Sequence, residues 1–390
     1  MAQPFRRDRL TILTYGLLAF YSYYINGFGP ITPFLKDELS LSYTVSSLHY
    51  TAFAAGILGA GLGGPALVRR IGRVPALWTG AGGLSLGAVL LVLGRTPFLT
   101  IGASFVMGLI GSLILAIVPG ALSDRHGEQR AIAVSEANVI SSMTGAAVPL
   151  MVGLAARALG EWRWALGIAA VAPLLLWVVL GRGDLSGTDA TVPGEGSKRG
   201  RSLPLRYWTH WASLVLAISV EFCMILWSAD YLENVLGIEK ASAAQAVSLF
   251  LAAMIVGRWA GSRLVRRIPA QRLVFATILV AGVAFLAFWQ SRSPLVGLGA
   301  LFLTGLGVAN LYPLILSLAI ASAKEKTVEA SGRATLASGA AIMTLPLVMG
   351  RVADAAGIQL AFGVVLALLA GLFLVNWVAG NDRFWPTAAR

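Results

Sequence analysis

Two glutamates, Glu221 and Glu136, lie inside long apolar stretches of this chain and are the first candidates for chemistry. Only 12% of the residues are charged and 57% are hydrophobic, so an acidic side chain inside such a stretch is unusual here. A charged side chain at the centre of a lipid bilayer costs at least ~2.5 kcal/mol, and it is retained where it faces a cavity or a partner. Both glutamates are therefore functional candidates.

Glu221 is placed where a proton could be carried. It lies near the midpoint of an apolar helix predicted for 208–235, and therefore near the middle of a bilayer. A carboxyl group whose surroundings alternate between dry and aqueous can take up and release a proton. The alternative is a structural glutamic acid that stays protonated, or hydrogen-bonded to a neighbouring helix.

An internal repeat indicates how the elements that carry these residues are arranged. The sequence LVRRI occurs at 67–71 and again at 264–268, an offset of 197 residues that is about half of the 390-residue chain. The same offset places Glu136 on Arg333 and Pro149 on Pro346. Two copies of one apolar unit, with a working site between them, are typical of secondary transporters.

The apolar stretches predict an all-α membrane protein. A helix needs about 20 apolar residues to cross a ~30 Å hydrocarbon layer, and the pattern does not alternate as in a membrane β-barrel. We predict twelve transmembrane helices at 11–35, 44–68, 74–94, 97–122, 130–157, 161–181, 208–235, 242–267, 270–291, 294–321, 330–355 and 358–380. They form two pseudo-symmetric six-helix bundles.

The one long polar stretch separates the two bundles. We predict an N-terminal half at 1–181, a cytoplasmic linker at 182–207 and a C-terminal half at 208–390. Most of the 30 Lys and Arg residues fall in the linker and in alternate loops. This bias places both termini in the cytoplasm.

The segment Gly64–Val74 resembles a loop motif of the major facilitator superfamily (MFS), G-x-x-x-D-R-x-G-R-R. Arg70, Gly72 and Arg73 match this motif, whereas Arg69 takes the acidic position. The twelve helices and the central linker extend the resemblance, which implies the MFS fold, over nearly the whole chain.

Shorter motifs are similar to those of the fucose permease-like sugar:proton symporters. They are Gly29-Pro30, Val220-Glu221, Gly257-Arg258, Tyr312-Pro313-Leu314 and Leu345-Pro346. That branch carries proton-linked carboxylates in helices 1 and 4. Here helix 1 has none, and helix 4 reaches an acid only at Asp124, predicted in the following loop, so coupling is expected elsewhere.

The resemblance also suggests a gate. Helix 5 packs on helix 8 in this superfamily, which would bring Glu136 to Arg258 while Arg333 faces helix 2 or the cavity mouth. These residues would close the inner side when the outer side is open. Two alternatives are a static pair that fixes helix register and, for Arg333, an anionic substrate.

Polar and aromatic residues in the middle of helices are expected to line a substrate cavity. They are Tyr23, Tyr24, Asn26, Asn138, Trp227, Asn310 and Tyr312. Aromatic faces with amides suit a sugar ring, although any one of them could simply pack. His49, near the outer end of helix 2, has an ordinary pKa of ~6.5 and is either pH-responsive or a hydrogen-bonded helix-end residue.

Other functions are disfavoured. There is no Walker-type phosphate loop and no metal-ligand spacing, so we expect no cofactor and no metal. The net charge of +12 is scattered over loops, which argues against nucleic acid. Nucleophile and base constellations are missing, so an enzyme is not expected.

The sequence therefore predicts a proton-coupled secondary active transporter of a small polar, sugar-like solute, working by alternating access. Its partners would be a small-molecule substrate, protons and the lipid bilayer of the bacterial inner membrane, and we expect a monomer. The first alternative is a proton-driven exporter of lipophilic or amphipathic compounds. A receptor or scaffold without transport is a second.

Overall fold

The structure is a computed structural model that describes residues 5–181, 203–323 and 326–381. Most of the predicted linker 182–207 lies outside the described residues. The described part of the chain is helical and contains no strand.

Seven α-helices precede the linker. They are α1 (Arg9–Glu38), α2 (Tyr43–Ile71), α3 (Arg73–Leu93), α4 (Pro97–His126), α5 (Arg130–Ala158), α6 (Arg163–Ala169) and α7 (Ala172–Leu180). A 3-10 turn at Gly127–Gln129 joins α4 to α5. Because α4 continues to His126, Asp124 lies in the last turns of that helix, and its predicted place in a loop was wrong.

Seven more helices follow it. They are α8 (Leu205–Asn234), α9 (Lys240–Leu264), α10 (Ala270–Gln290), α11 (Pro294–Val308), α12 (Leu311–Ser322), α13 (Thr327–Ala356) and α14 (Ile358–Gly380). Helix α8 begins three residues before its predicted start at 208.

Two predicted helices are each divided in two. The stretch 161–181 becomes α6 and α7, and 294–321 becomes α11 and α12. A proline follows each division, Pro173 in the first case and Pro313 in the second. Proline has no N–H, so the carbonyl four residues earlier loses its helical partner.

Ten segments of the described chain are long and apolar enough to cross a membrane. Helices α4 and α5 follow one another so closely that they form a single segment, Pro97–Ala158. Helix α1 is not among the ten.

Contacts divide the described chain into two compact units. The first holds the residues up to Leu41 and from Leu48 to Gly181, and the second holds Ser42–Ser47 and the residues from Leu203 onward. In the first unit α3 packs on α4 and α1 packs on α5, and in the second α8 packs on α13 and α14.

A buried arginine forms hydrogen bonds to the ends of several helices of the first unit. The Arg163 side chain is nearly inaccessible, and its Nη2 donates to Glu38 Oε1 at 2.8 Å. Further guanidinium hydrogens bond the carbonyls of Leu91 and Gly94 at 3.1 Å, where α3 ends. These carbonyls have no partner within their own helix, so Arg163 satisfies them and is itself neutralised by Glu38.

The first turn of α2 belongs to the second unit. Backbone N–H groups of Tyr43 and Thr44 donate to the Asp354 carboxylate at 2.7 and 2.9 Å. The Tyr43 ring lies 5.8 Å from the Trp227 ring, centroid to centroid. Asp354 of α13 thus acts as the N-cap of a helix that begins 311 positions earlier.

Candidate functional site

The candidate site lies in the second unit, where α8 and α9 bring Glu221 and Arg258 together. Arg258 Nη2 is 3.4 Å from Glu221 Oε1. The Arg258 side chain is 42% exposed and the Glu221 side chain 17% exposed. The distance is at the long end for a hydrogen bond.

The break between α11 and α12 supplies a third member of the site. Pro313 has no N–H to donate to the Ala309 carbonyl, four residues before it. Arg258 Nε donates to that carbonyl at 3.4 Å. The guanidinium therefore bridges a side-chain carboxylate and a backbone oxygen that the proline has released.

Close packing of α9 holds the break in place. The Asn310 side-chain amide donates to the Gly257 carbonyl at 2.7 Å. A Cβ at Gly261 would lie 2.1 Å from Asn310 Oδ1, and one at Gly257 would lie 2.6 Å from the Ala309 Cβ. At Gly257 a side chain would also meet the Leu306 backbone, so glycine is required there, whereas at Gly261, one turn later, the Asn310 amide would have to move.

Tyr312 lies in the first turn of α12, two residues after Asn310. We call four residues of this unit, all chosen from the sequence, the Glu221 cluster: Glu221, Arg258, Asn310 and Tyr312. Irregular backbone is tolerated within a membrane where protein buries it or a cavity lies beside it. Broken helices with free carbonyls are common ion and substrate sites in transporters.

Glu136 is bonded to two residues of its own unit. Arg7 Nε and Nη2 donate to its two carboxylate oxygens at 2.8 and 2.6 Å. The Tyr15 hydroxyl donates to Oε2 of the same carboxylate at 3.1 Å. The expected pair of Glu136 with Arg258 stays a prediction.

Arg333 lies on α13 against aromatic residues of α8. Its guanidinium carbon is 5.4 Å from the centroid of the Trp208 ring. Its backbone carbonyl accepts a hydrogen bond from Trp211 Nε1 at 2.9 Å. Its role as a gate or an anion site remains a prediction.

Most of the other predicted cavity residues bond within their own unit. The Tyr23 and Tyr24 hydroxyls donate to the carbonyls of Ala165 and Leu166 on α6, at 2.9 and 2.8 Å. These bonds tie α1 to α6, and whether either ring also contacts a solute remains a prediction.

His49 and the two amides of the first unit form short-range bonds. Nε2 of His49, a buried residue, lies 2.9 Å from Thr100 Oγ1. Asn26 and Asn138 donate to backbone carbonyls one turn earlier in their own helices, both at 2.9 Å. Asn138 is exposed on the surface of its unit.

Trp227 is fully buried on α8. Within the described part of the chain its Nε1 has no hydrogen-bond acceptor, although its ring contacts Tyr43. A buried, unbonded indole N–H is costly. Its predicted place in the cavity stays a prediction.

The sequence analysis missed two features. Asp230, on α8, is fully buried and was not among the candidates. Arg73, the last residue that matches the loop motif, forms an ion pair with Asp124. A charged residue in the apolar helix predicted for 208–235 would have been the signal for Asp230.

Among the described residues, no three His, Cys, Asp or Glu side chains are grouped as a metal site would need.

Comparisons with known proteins agree on one family. A family model described as Major Facilitator Superfamily matches residues 12–329. An uncharacterized MFS-type transporter of Yersinia pestis is 24% identical over 368 residues, which cover 89% of this chain and 91% of the relative.

Solved structures show the same fold. A bacterial homolog of the human lysosomal transporter Spinster, in an inward-facing and occupied conformation, superimposes with a TM-score of 0.78 at 14% identity, covering 99% of this chain and 100% of that one. The peptide transporter POT in complex with sulfate gives a TM-score of 0.77 at 17% identity, with 95% of each chain covered.

Proposed function

Because the chain belongs to the Major Facilitator Superfamily, we propose that it couples the movement of a small polar, sugar-like solute to protons by alternating access. Family and relatives together make it a multi-pass membrane transporter and not an enzyme. The kind of solute, the coupling to protons and the alternating access are the parts that we propose.

The Glu221 cluster carries the proposal. Glu221 is the acidic residue that combines a membrane-embedded helix, a cation at 3.4 Å and a broken neighbouring helix. When Glu221 takes up a proton, its attraction to Arg258 weakens and the guanidinium keeps only the Ala309 carbonyl. Protonation is thereby linked to the geometry of the α11–α12 break.

The proposed topology follows from charge and repeat. Twelve spans would form two six-helix bundles, 1–181 and 208–390, joined by the linker 182–207. Both termini would lie in the cytoplasm of a bacterial cell whose inner membrane holds the protein as a monomer. Lys and Arg in alternate loops support this orientation.

We favour an uncharged polar solute because the cluster pairs its one cation with its one carboxylate. Tyr312 and Asn310 offer an aromatic face and an amide beside that pair, which suits a sugar ring. In this proposal Glu136, Arg258 and Arg333 also act as gate residues.

An exporter of lipophilic or amphipathic compounds is the second candidate. One observation favours it: an apolar groove of about 440 Å³ in the first unit, which has Tyr23 and Trp164 among its lining residues. Counterflow in proteoliposomes separates the two candidates, since exchange of sugars without any response to drugs excludes export.

The proposed function is tested with Glu221→Gln after a thermal-shift screen of sugars, organic acids and drugs at two pH values has supplied a solute. In proteoliposomes the variant should exchange solute across the membrane but fail to accumulate it under a pH gradient. Glu128→Gln, in the exposed turn after α4, is the matched control and should accumulate solute normally. Normal accumulation by Glu221→Gln would refute the role of this residue.

A further inference from the structure

We infer that a groove on the first unit binds an anionic phospholipid, with the lipid phosphate on Arg7 and an acyl chain along α1 and α5. The groove has a volume of about 690 Å³. It is lined by Arg7, Ile12, Tyr15, Gly16, Ser135, Glu136, Val139, Ile140 and Leu176.

The groove has one charged end and one apolar end. Helices α1 and α5 run in parallel, since Tyr15 contacts Glu136 whereas Ser22 and Asn26 lie beside Gly145, farther along both helices. Arg7 and Glu136 therefore lie at the end where both helices begin.

Beyond the charged end, the walls are hydrocarbon. Ile12, Val139 and Ile140 are exposed on the surface of the unit, and Leu176 of α7 forms the opposite wall. This polarity along the helix direction matches that of a phospholipid, with its headgroup at the membrane surface and its chain inside.

Arg7 retains donors for a phosphate. A guanidinium has five N–H groups, and within the described chain two of them bond Glu136. The Arg7 side chain is 57% exposed, so the remaining three can reach a ligand. Glu136, which also accepts from the Tyr15 hydroxyl, holds the guanidinium at the mouth of the groove, where its carbon lies 5.5 Å from the centroid of the Phe5 ring.

Charge around the mouth favours an anionic lipid over a zwitterionic one. Arg6 and Arg9 flank Arg7 in the chain and are both exposed. Basic residues at a membrane surface attract anionic headgroups, and a guanidinium matches phosphate with two parallel hydrogen bonds. The leaflet is the one on the side of the N-terminus.

Native mass spectrometry of the full-length protein in detergent tests the inference. The probes are phosphatidylglycerol and phosphatidylethanolamine with identical acyl chains. Wild-type protein should retain one phosphatidylglycerol about fivefold more tightly than phosphatidylethanolamine. Arg7→Gln should lose that preference, whereas Arg6→Gln removes the same charge one residue away and should keep most of it.

A second variant separates the tail from the headgroup. Val139→Trp places a large side chain on the exposed wall of the groove, so it should weaken retention of both lipids while leaving Arg7 intact. It also provides a test if Arg7→Gln does not fold. Equal retention of the two lipids by wild-type protein, equal effects of Arg7→Gln and Arg6→Gln, or unchanged retention by Val139→Trp would each overturn the inference.

Discussion

Arg258 contacts two acceptors of different kinds, the Glu221 carboxylate and the Ala309 carbonyl. A lysine could not reproduce this, because a guanidinium presents its donors in a planar fork and an ammonium acts as a point charge. Glu221 and Arg258 were both identified from the sequence, since charged residues in apolar helices are conspicuous. Their pairing was not, because sequence gives no distances.

Arg7 shows the same limit at another residue. It precedes α1 in a basic segment that reads as a cytoplasmic flank, and its partner Glu136 is 129 positions away. No pattern in the sequence links Arg7 with Glu136. The partner predicted for Glu136 therefore came from the arrangement of helices in the family.

Asp8 gives a pH-dependent prediction at this scale. Burial alone would raise the pKa of the Asp8 carboxyl, but hydrogen bonds from Thr11 and the ion pair with Arg125 outweigh it, and the pKa lies below its ordinary value. The folded state therefore gains stability from Asp8 above about pH 4 and loses it as the pH falls through the lowered value.

The comparison is wild-type protein with Asp8→Asn, which still caps α1 but has no charge for Arg125. In thermal unfolding, wild-type protein should be the more stable at pH 7, and the difference should shrink below about pH 4. A difference that stays constant from pH 7 to pH 3 would contradict the assignment.

Asp354 gives a second prediction. Its carboxylate accepts two backbone N–H groups at the start of α2, so Asp354→Ala should cost about 1 kcal/mol, as other N-cap losses do. The midpoint of thermal unfolding should fall in Asp354→Ala and stay unchanged in Glu128→Ala. If both variants unfold like wild-type protein, the cap does not contribute.

Among the elements, the break between α11 and α12 matters most. Prolines also occur inside the continuous helices α1, α4, α5 and α13, so Pro313 alone does not predict a break. What distinguishes this position is the set of substitute partners: Arg258 for the freed carbonyl, and Asn310 bonded to Gly257 on α9. The positions of the helices were predictable from the apolar stretches, whereas this break depends on partners from a neighbouring helix.

Pro313→Ala tests the break. It restores an N–H that can bond the Ala309 carbonyl, so Arg258 loses its second acceptor and α11 can continue into α12. Because proline inside a helix costs about 3 kcal/mol, the variant should be at least as stable as wild-type protein while its uphill transport falls. Pro149→Ala, in the continuous α5, should leave transport unchanged, and full transport by Pro313→Ala would show that the break is dispensable.

Gly261 provides a test of the packing that holds the break. A methyl group there would collide with the Asn310 amide, and overpacking of this kind costs about 1–3 kcal/mol. Thermal unfolding should therefore show Gly261→Ala to be destabilised. Gly282→Ala on α10 should not be, since nothing lies within 4 Å of that Cβ.

A double variant tests the contact between Gly261 and Asn310 directly. Asn310→Ala removes the colliding amide, so adding it to Gly261→Ala should recover part of the lost stability. Simple addition of the two losses would contradict the contact.

On the scale of the whole molecule, the family and the helical fold followed from composition, repeat and one loop motif. Composition and the length of the apolar stretches follow from lipid as the solvent and from the thickness of the bilayer, so many residues along the chain contribute to the prediction. The identity of the solute depends on a few side chains and their distances, which the sequence does not give.

The most direct test is proton movement itself. In proteoliposomes carrying a pH-sensitive dye, an inward gradient of the identified solute should acidify the lumen with wild-type protein. With Glu221→Gln the solute should still equilibrate, but the lumen should not acidify. Acidification by Glu221→Gln at the wild-type rate would contradict the claim that Glu221 carries the proton.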